Sequence, residues 1–156
     1  MVFKEIVDRV IEREGGFVDH PDDPGGKTKY GIAQRSYPKE DIKNLTKDRA
    51  EEIYYEDYWV PSKAPFLPHN IQETFFDMVV NMGKRRAVKI LQKACNSKNC
   101  GLKVDGRIGK LTIAATKKID PSRLKVFRIL FYTNLIRRKP SLKTFIVGWL
   151  RRAMET

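Results

Sequence analysis

The sequence predicts a mainly α-helical protein in which an irregular, chemically rich loop follows the first helix. Apolar residues recur at intervals of three and four along most of the 156 residues, which is typical of amphipathic helices. Prolines and glycines separate these stretches. No segment alternates apolar and polar residues with the period of two that a half-buried strand requires.

The first predicted element is a helix over residues 2–14. Its apolar residues form one stripe at helical spacing: Val2, Phe3, Ile6, Val7, Val10 and Ile11. Gly15 and Gly16 follow at once, and glycine commonly stands just past the end of a helix. The helix is therefore expected to end at Glu14.

Residues 17–31 are dominated by proline, glycine and aspartate, which indicates turns and irregular backbone. A loop of this length is uncommon in a compact domain and is often functional. The segment is also compatible with a short hairpin.

Six further helices are predicted after the loop, and Thr46 is a suitable N-cap for the first of them. Gly83 and Pro140 separate neighbouring helices. The predicted ranges are 47–58, 70–82, 85–94, 110–118, 121–138 and 142–154. We expect residues 1–156 to form a single compact domain and a monomer.

The chain has a formal net charge of +12, which attracts polyanions such as nucleic acid, anionic lipid or a bacterial envelope. The segment from Arg123 to Arg152 contains nine basic residues and no acidic one. These are either solvated helix faces or an attachment surface for anionic envelope polymers, to which we assign Arg128, Arg137, Arg138, Arg151 and Arg152. No helix-turn-helix or aromatic-basic platform is evident, so no specific nucleic acid partner is expected.

Cys95 and Cys100 are spaced too widely for a usual zinc pair, and His20 and His69 lie far from them in sequence. No metal and no other cofactor is expected. Reduced thiols and a small disulfide both remain open. No apolar run reaches the roughly 20 residues of a membrane span, and the N-terminus lacks the apolar core of a signal peptide. Synthesis in a cytoplasm is expected.

Glu14 is the candidate for acid chemistry. Cleavage of a glycosidic bond needs a protonated carboxylic acid beside the leaving oxygen and a second group that positions water or stabilises the charged sugar. Glu14 ends an amphipathic helix, and the glycines after it leave room for a polymer. The alternative is an ordinary solvated glutamate at a helix end.

The loop supplies candidates for the second group, namely Asp19, Asp22, Asp23, Thr28 and Tyr30. A loop that begins at Glu14 can bring a carboxylate and a hydroxyl to face it across a cleft. Turn formation is the alternative role of the aspartates, because the pairs Pro21-Asp22 and Asp23-Pro24 are common in turns.

An ordered set of motifs resembles glycoside hydrolase family 108, the N-acetylmuramidases of phages and prophages. The motifs lie in Glu14–Val18, Pro21–Ile32, Ile53–Pro61, Phe76–Gly83 and Ala87–Thr112. The resemblance implies a lysozyme-like helical fold. It also implies a muramidase-like segment over residues 1–94, with a helical peptidoglycan-binding-like segment over residues 95–156 packed on it.

The resemblance implies that Glu14 is the catalytic acid. Asp23 follows Glu14 by nine residues, as in the wider phage lysozyme pattern, whereas Thr28 follows by fourteen residues, one fewer than in that pattern. His20 replaces an acidic residue that is usual in the family, and Asp19 can compensate. Whether Asp23 or Asp19 is the partner of Glu14 stays open, as does the role of Thr28.

Four further residues have two interpretations each. Asp77 and Asn81, spaced i, i+4, form either a buried polar network that ties their helix to the loop or a cleft wall that binds the glycan's acetamido and hydroxyl groups. Tyr30 and Trp59 either stack on sugar rings or belong to the core.

The expected function is that of an endolysin that hydrolyses the β-1,4 bond between N-acetylmuramic acid and N-acetylglucosamine, without a cofactor. It would act in the periplasm or cell wall after release by a separate factor. A lytic transglycosylase and a non-catalytic wall-binding protein are the alternatives, and a nucleic-acid-binding protein is supported by charge alone.

Overall fold

A computed structural model describes residues 3–19 and 26–156 of the chain. The described residues form seven α-helices and one two-stranded antiparallel sheet. The prediction of a mainly α, lysozyme-like fold with a small hairpin after the first helix is confirmed. The chain divides into two compact units, residues 1–57 and residues 58–156.

The first unit contains helix α1 (Phe3–Glu14), strands β1 (Thr28–Lys29) and β2 (Ile32–Ala33), and helix α2 (Lys47–Ile53). A π-helical stretch, Tyr54–Trp59, continues α2 to the start of the second unit. The predicted N-cap is confirmed, because the side chain of Thr46 accepts a hydrogen bond from the backbone N–H of Arg49 at 3.2 Å.

Helix α1 forms because its apolar stripe can be buried on one side. Ile6, Val7 and Val10 are fully buried and Ile11 is 4% exposed, and each such side chain contributes about 1.5–3 kcal/mol on burial. Ion pairs join its polar side to α2. The Lys4 ammonium lies 2.9 Å from a carboxylate oxygen of Glu51, and Lys47 pairs with Asp8.

The second unit contains helices α3 (His69–Met82), α4 (Lys84–Asn96), α5 (Lys110–Ala115), α6 (Pro121–Arg138) and α7 (Ile146–Glu155). Short 3₁₀ turns precede or follow several of them: Ala64–Phe66, Thr116–Lys118 and Pro140–Phe145. Helix α3 packs against α4 and α6, and α6 packs against α7. Gly83, with a φ of 86°, separates α3 from α4.

In the described part of the chain, none of the helices combines the length and the apolar character that a membrane crossing needs. Cys95 and Cys100 are unbridged. Cys95 is fully buried, and this burial raises the pKa of its thiol to about 11.

Candidate active site

Glu14 is the last residue of α1, where its half-buried side chain lies beside the hairpin. The helix ends there because Gly15 adopts a φ of 85° and its N–H donates to the carbonyl of Ile11 at 3.1 Å. A left-handed residue of this kind is favourable only for glycine. The double glycine therefore fixes where the carboxylate stands.

The hairpin reaches Glu14 through its two-residue turn. Lys29 pairs with Ile32, so Tyr30 and Gly31 are the turn residues, with φ values of 54° and 78°. Positive φ at both positions is characteristic of a type I′ turn, which suits the twist of a tight hairpin. A second short pairing extends the ribbon, because Val18 and Thr28 exchange backbone hydrogen bonds of 2.8 Å in both directions.

Gly31 packs directly on Glu14. A methyl group at this position would stand 2.8 Å from Cγ and 3.0 Å from Cβ of Glu14, and closer still to the hydroxyl oxygen of Tyr54. Real Cβ atoms do not approach other heavy atoms below 3.0 Å without displacing them. The absence of a side chain at Gly31 is therefore what lets the turn lie against the carboxylate-bearing side chain.

Tyr54 also contacts the hairpin turn, a role that the sequence did not predict. Its side chain is 1% exposed, and its hydroxyl donates to the backbone carbonyl of Tyr30 at 2.9 Å. This bond holds the Tyr30–Gly31 turn in place beside Glu14. The only sequence signal for it was its place in the Ile53–Pro61 motif, which carries no information on spatial neighbours.

The described residues leave space at the two glycines that follow Glu14. No described atom lies within 4 Å of the position that a Cβ would take at Gly15 or Gly16. Among the described residues, none therefore occupies the space beside this helix end that a bulky polymer would need.

The other predicted loop residues differ in their relation to Glu14. Tyr30 is in the turn, partly exposed, with the Lys29 ammonium 5.4 Å from its ring centroid. Thr28 is partly exposed at the far end of β1, about 7 Å along the strand from Tyr30. Asp19 is exposed and directly follows the residue that pairs with Thr28. Asp23 lies outside the described residues.

Asp77 is fully buried, and its carboxylate accepts hydrogen bonds from two arginines. Arg128 on α6, itself fully buried, donates at 2.8 Å, and Arg152 on α7 donates at 3.0 Å. Asn81 is exposed, but its carbonyl oxygen accepts from the hydroxyl of Tyr132 at 2.9 Å. This geometry matches the interpretation as a polar network, with partners on α6 and α7 instead of the loop.

This network also corrects the expected attachment surface. Arg128 and Arg152 both pair with Asp77 and are little exposed, so neither is available to an external polyanion. Trp59 is 5% exposed and stands edge-to-face with Phe76, at 5.1 Å between ring centroids. Its surroundings match the interpretation as a core aromatic residue.

Comparison with known proteins identifies the family of the chain. Residues 7–83 match the family model described as Glycosyl hydrolase 108, and residues 86–154 match one described as Predicted Peptidoglycan domain. A solved structure titled "Structure of Brucella abortus SagA" is 33% identical, with a TM-score of 0.78 over 98% of this chain and 90% of that one. No curated protein matches the sequence.

The two family matches define a glycoside hydrolase that acts on peptidoglycan. More narrowly, the chain belongs to the glycosyl hydrolase 108 family. The resemblance drawn from the ordered sequence motifs is thereby confirmed.

Proposed function

We propose that this protein is a muramidase that hydrolyses the β-1,4 bond between N-acetylmuramic acid and N-acetylglucosamine, with Glu14 as its general acid. The observation that carries the proposal is the packing of the Tyr30–Gly31 turn on Glu14, with open space at Gly15 and Gly16. This packing positions the side chain of Glu14, which is half-buried and so keeps part of its surface exposed.

In the proposed reaction, Glu14 protonates the oxygen that leaves as the glycosidic bond breaks. Asp23, helped by Thr28, orients water or stabilises the positive charge that develops on the sugar. Asp19 is the alternative partner. The reaction consumes one water molecule and needs no cofactor.

Substitution of Glu14 by glutamine tests this assignment, because glutamine keeps the shape of the side chain and cannot donate an acidic proton. We expect release of reducing ends from purified peptidoglycan to fall by about 10²–10⁴-fold, the usual contribution of a general acid. Glu12→Gln is the matched control, since Glu12 is exposed on the same helix. Wild-type activity in Glu14→Gln would exclude the assignment, and wall binding without any release by the wild type would indicate a binding protein.

We further propose that exposed arginines of α6 and α7 concentrate the enzyme on anionic envelope polymers after a separate factor has released it. Arg137, Arg138 and Arg151 are exposed. Replacing all three with glutamine should weaken sedimentation with whole envelopes and leave cleavage of short soluble glycans intact. Equal losses on both substrates would show that the arginines have a structural role instead.

A further inference from the structure

A groove of about 630 Å³ lies within residues 92–118 of the second unit, between the end of α4, the loop after it and α5. None of its lining residues is among those assigned to catalysis. It lies within residues 86–154, which match the model described as Predicted Peptidoglycan domain, but that match names neither a site nor the part of the polymer that is bound.

The groove is built on a buried glutamine. The side-chain amide of Gln92 donates to Asp105 at 3.0 Å and to the carbonyl of Arg107 at 2.9 Å, and its oxygen accepts from the N–H of Gly106 at 3.0 Å. Asn96 holds the other side of the loop through two bonds to the backbone of Leu102, at 2.8 and 2.7 Å. The groove is therefore preorganised, which lowers the entropy cost of binding.

Most of the charged side chains in the lining are cationic. The basic side chains that line it are Lys103, Arg107, Lys110 and Lys118. The one carboxylate in the lining is Asp105, whose pKa is lowered by the hydrogen bond from Gln92 and by the backbone N–H of Arg107. At neutral pH the groove thus presents several positive charges and one negative charge.

Apolar side chains complete the lining: Leu102, Leu111, Ala114 and Ala115. Leu111 is 79% exposed, so its side chain is available for contact with a ligand. The groove therefore suits a ligand that carries several carboxylates, one amino group and small apolar side chains.

The peptide stem of peptidoglycan has this chemistry, because it combines alanine methyl groups, free carboxylates and the free amino group of its diamino acid. We propose that this groove binds the peptide stem of peptidoglycan. The carboxylates pair with Lys103, Arg107 and Lys110, and the amino group pairs with Asp105. The inference rests on the proposed function, which takes peptidoglycan as the substrate. Within that polymer, it assigns the peptide stem and not the glycan strand to this groove.

A titration of the full-length protein with a soluble stem tetrapeptide, freed from its glycan, tests the proposal at low ionic strength. We expect binding by calorimetry, with chemical-shift changes in residues 99–112. The double variant Lys103→Gln/Lys110→Gln should bind about three- to tenfold more weakly, the loss expected for two exposed charge pairs. The matched control is Lys98→Gln/Lys117→Gln, because both lysines are exposed and neither lines the groove.

Three outcomes would overturn the proposal. The first is that both double variants weaken tetrapeptide binding equally. The second is that a tetrapeptide whose carboxylates are amidated binds as tightly as the unmodified one. The third is that a peptide-free N-acetylglucosamine oligomer causes chemical-shift changes at the groove. The muramidase assignment is judged separately. Lys103→Gln/Lys110→Gln should still cleave peptide-free glycan, whereas full activity of Glu14→Gln would defeat that assignment without affecting the peptide titration.

Discussion

Replacing Gly31 with alanine should displace the side chain of Glu14 and lower activity while the protein stays folded. The left-handed φ of 78° costs a residue with a Cβ about 1–2 kcal/mol. The added methyl group would also stand 2.8 Å from Cγ of Glu14, and overpacking of this kind costs about 1–3 kcal/mol. The combined loss of about 2–5 kcal/mol is tolerable for a domain of ordinary stability.

Relief of this overlap has to move the turn, Glu14 or the Tyr54 hydroxyl, which holds the turn through its bond to Tyr30. A displacement of about 1 Å in a reacting group can lower a rate by about 10²-fold. We therefore expect Gly31→Ala to release reducing ends from peptidoglycan far more slowly than the wild type, at a temperature where urea denaturation shows both to be folded.

Gly83→Ala separates the two effects. Gly83 has a φ of 86°, and no described atom lies within 4 Å of where its Cβ would be. The Gly83→Ala variant should lose about 1–3 kcal/mol from backbone strain alone, because a φ of 86° with a ψ of 149° is nearly restricted to glycine, and it should keep its activity. If Gly31→Ala were as active as the wild type and no less stable than Gly83→Ala, the close packing of the turn on Glu14 would be refuted.

Asp77→Asn should destabilise the protein by about 3–5 kcal/mol, because it leaves two guanidinium groups without their buried counter-charge. If urea denaturation showed that the free energy of unfolding falls by only about 0.5 kcal/mol, as for an exposed substitution, the network would be contradicted. Burial raises the pKa of Cys95 to about 11, so a thiol reagent at mildly alkaline pH should modify Cys100 in the native protein and Cys95 only after unfolding. Equal rapid reaction of both thiols would be inconsistent with this burial. The folded pKa of Asp105 is lowered by its bond from Gln92. Its stabilising effect should therefore be complete above the unfolded pKa of about 3.9 and be lost as the pH falls through the folded value. The difference in unfolding free energy between the wild type and Asp105→Asn should shrink over that acidic range, and a constant difference would show that its charge is irrelevant.

The helices could be predicted because their signals are local. The apolar stripe of the first helix, its terminal glycines, the Thr46 N-cap and the range 121–138 all correspond to observed features. The π-helical continuation at Tyr54–Trp59 and the 3₁₀ turn at Pro140–Phe145 were missed. Their apolar spacing does not differ enough from that of an α-helix to distinguish them.

The hairpin was only a possibility on sequence grounds because each strand has two residues. Such a strand shows no periodicity, and Tyr30 at a positive φ lacks the usual Asn-Gly signal of a type I′ turn. The partners of Asp77 could not be predicted from the sequence either, because Arg128 and Arg152 lie 51 and 75 residues away along the chain. The position of Glu14 at the end of its helix was predictable because the apolar stripe and the glycines indicate the same residue, whereas its role as the acid stays a prediction.

Product analysis tests the central claim, hydrolysis of the β-1,4 bond after N-acetylmuramic acid, most directly. The wild-type protein is incubated with purified peptidoglycan in water enriched in heavy oxygen, and the fragments are analysed by mass spectrometry. We predict fragments that end in a reducing N-acetylmuramic acid carrying the heavy isotope. A 1,6-anhydro end without the isotope, or a reducing N-acetylglucosamine end, would contradict it.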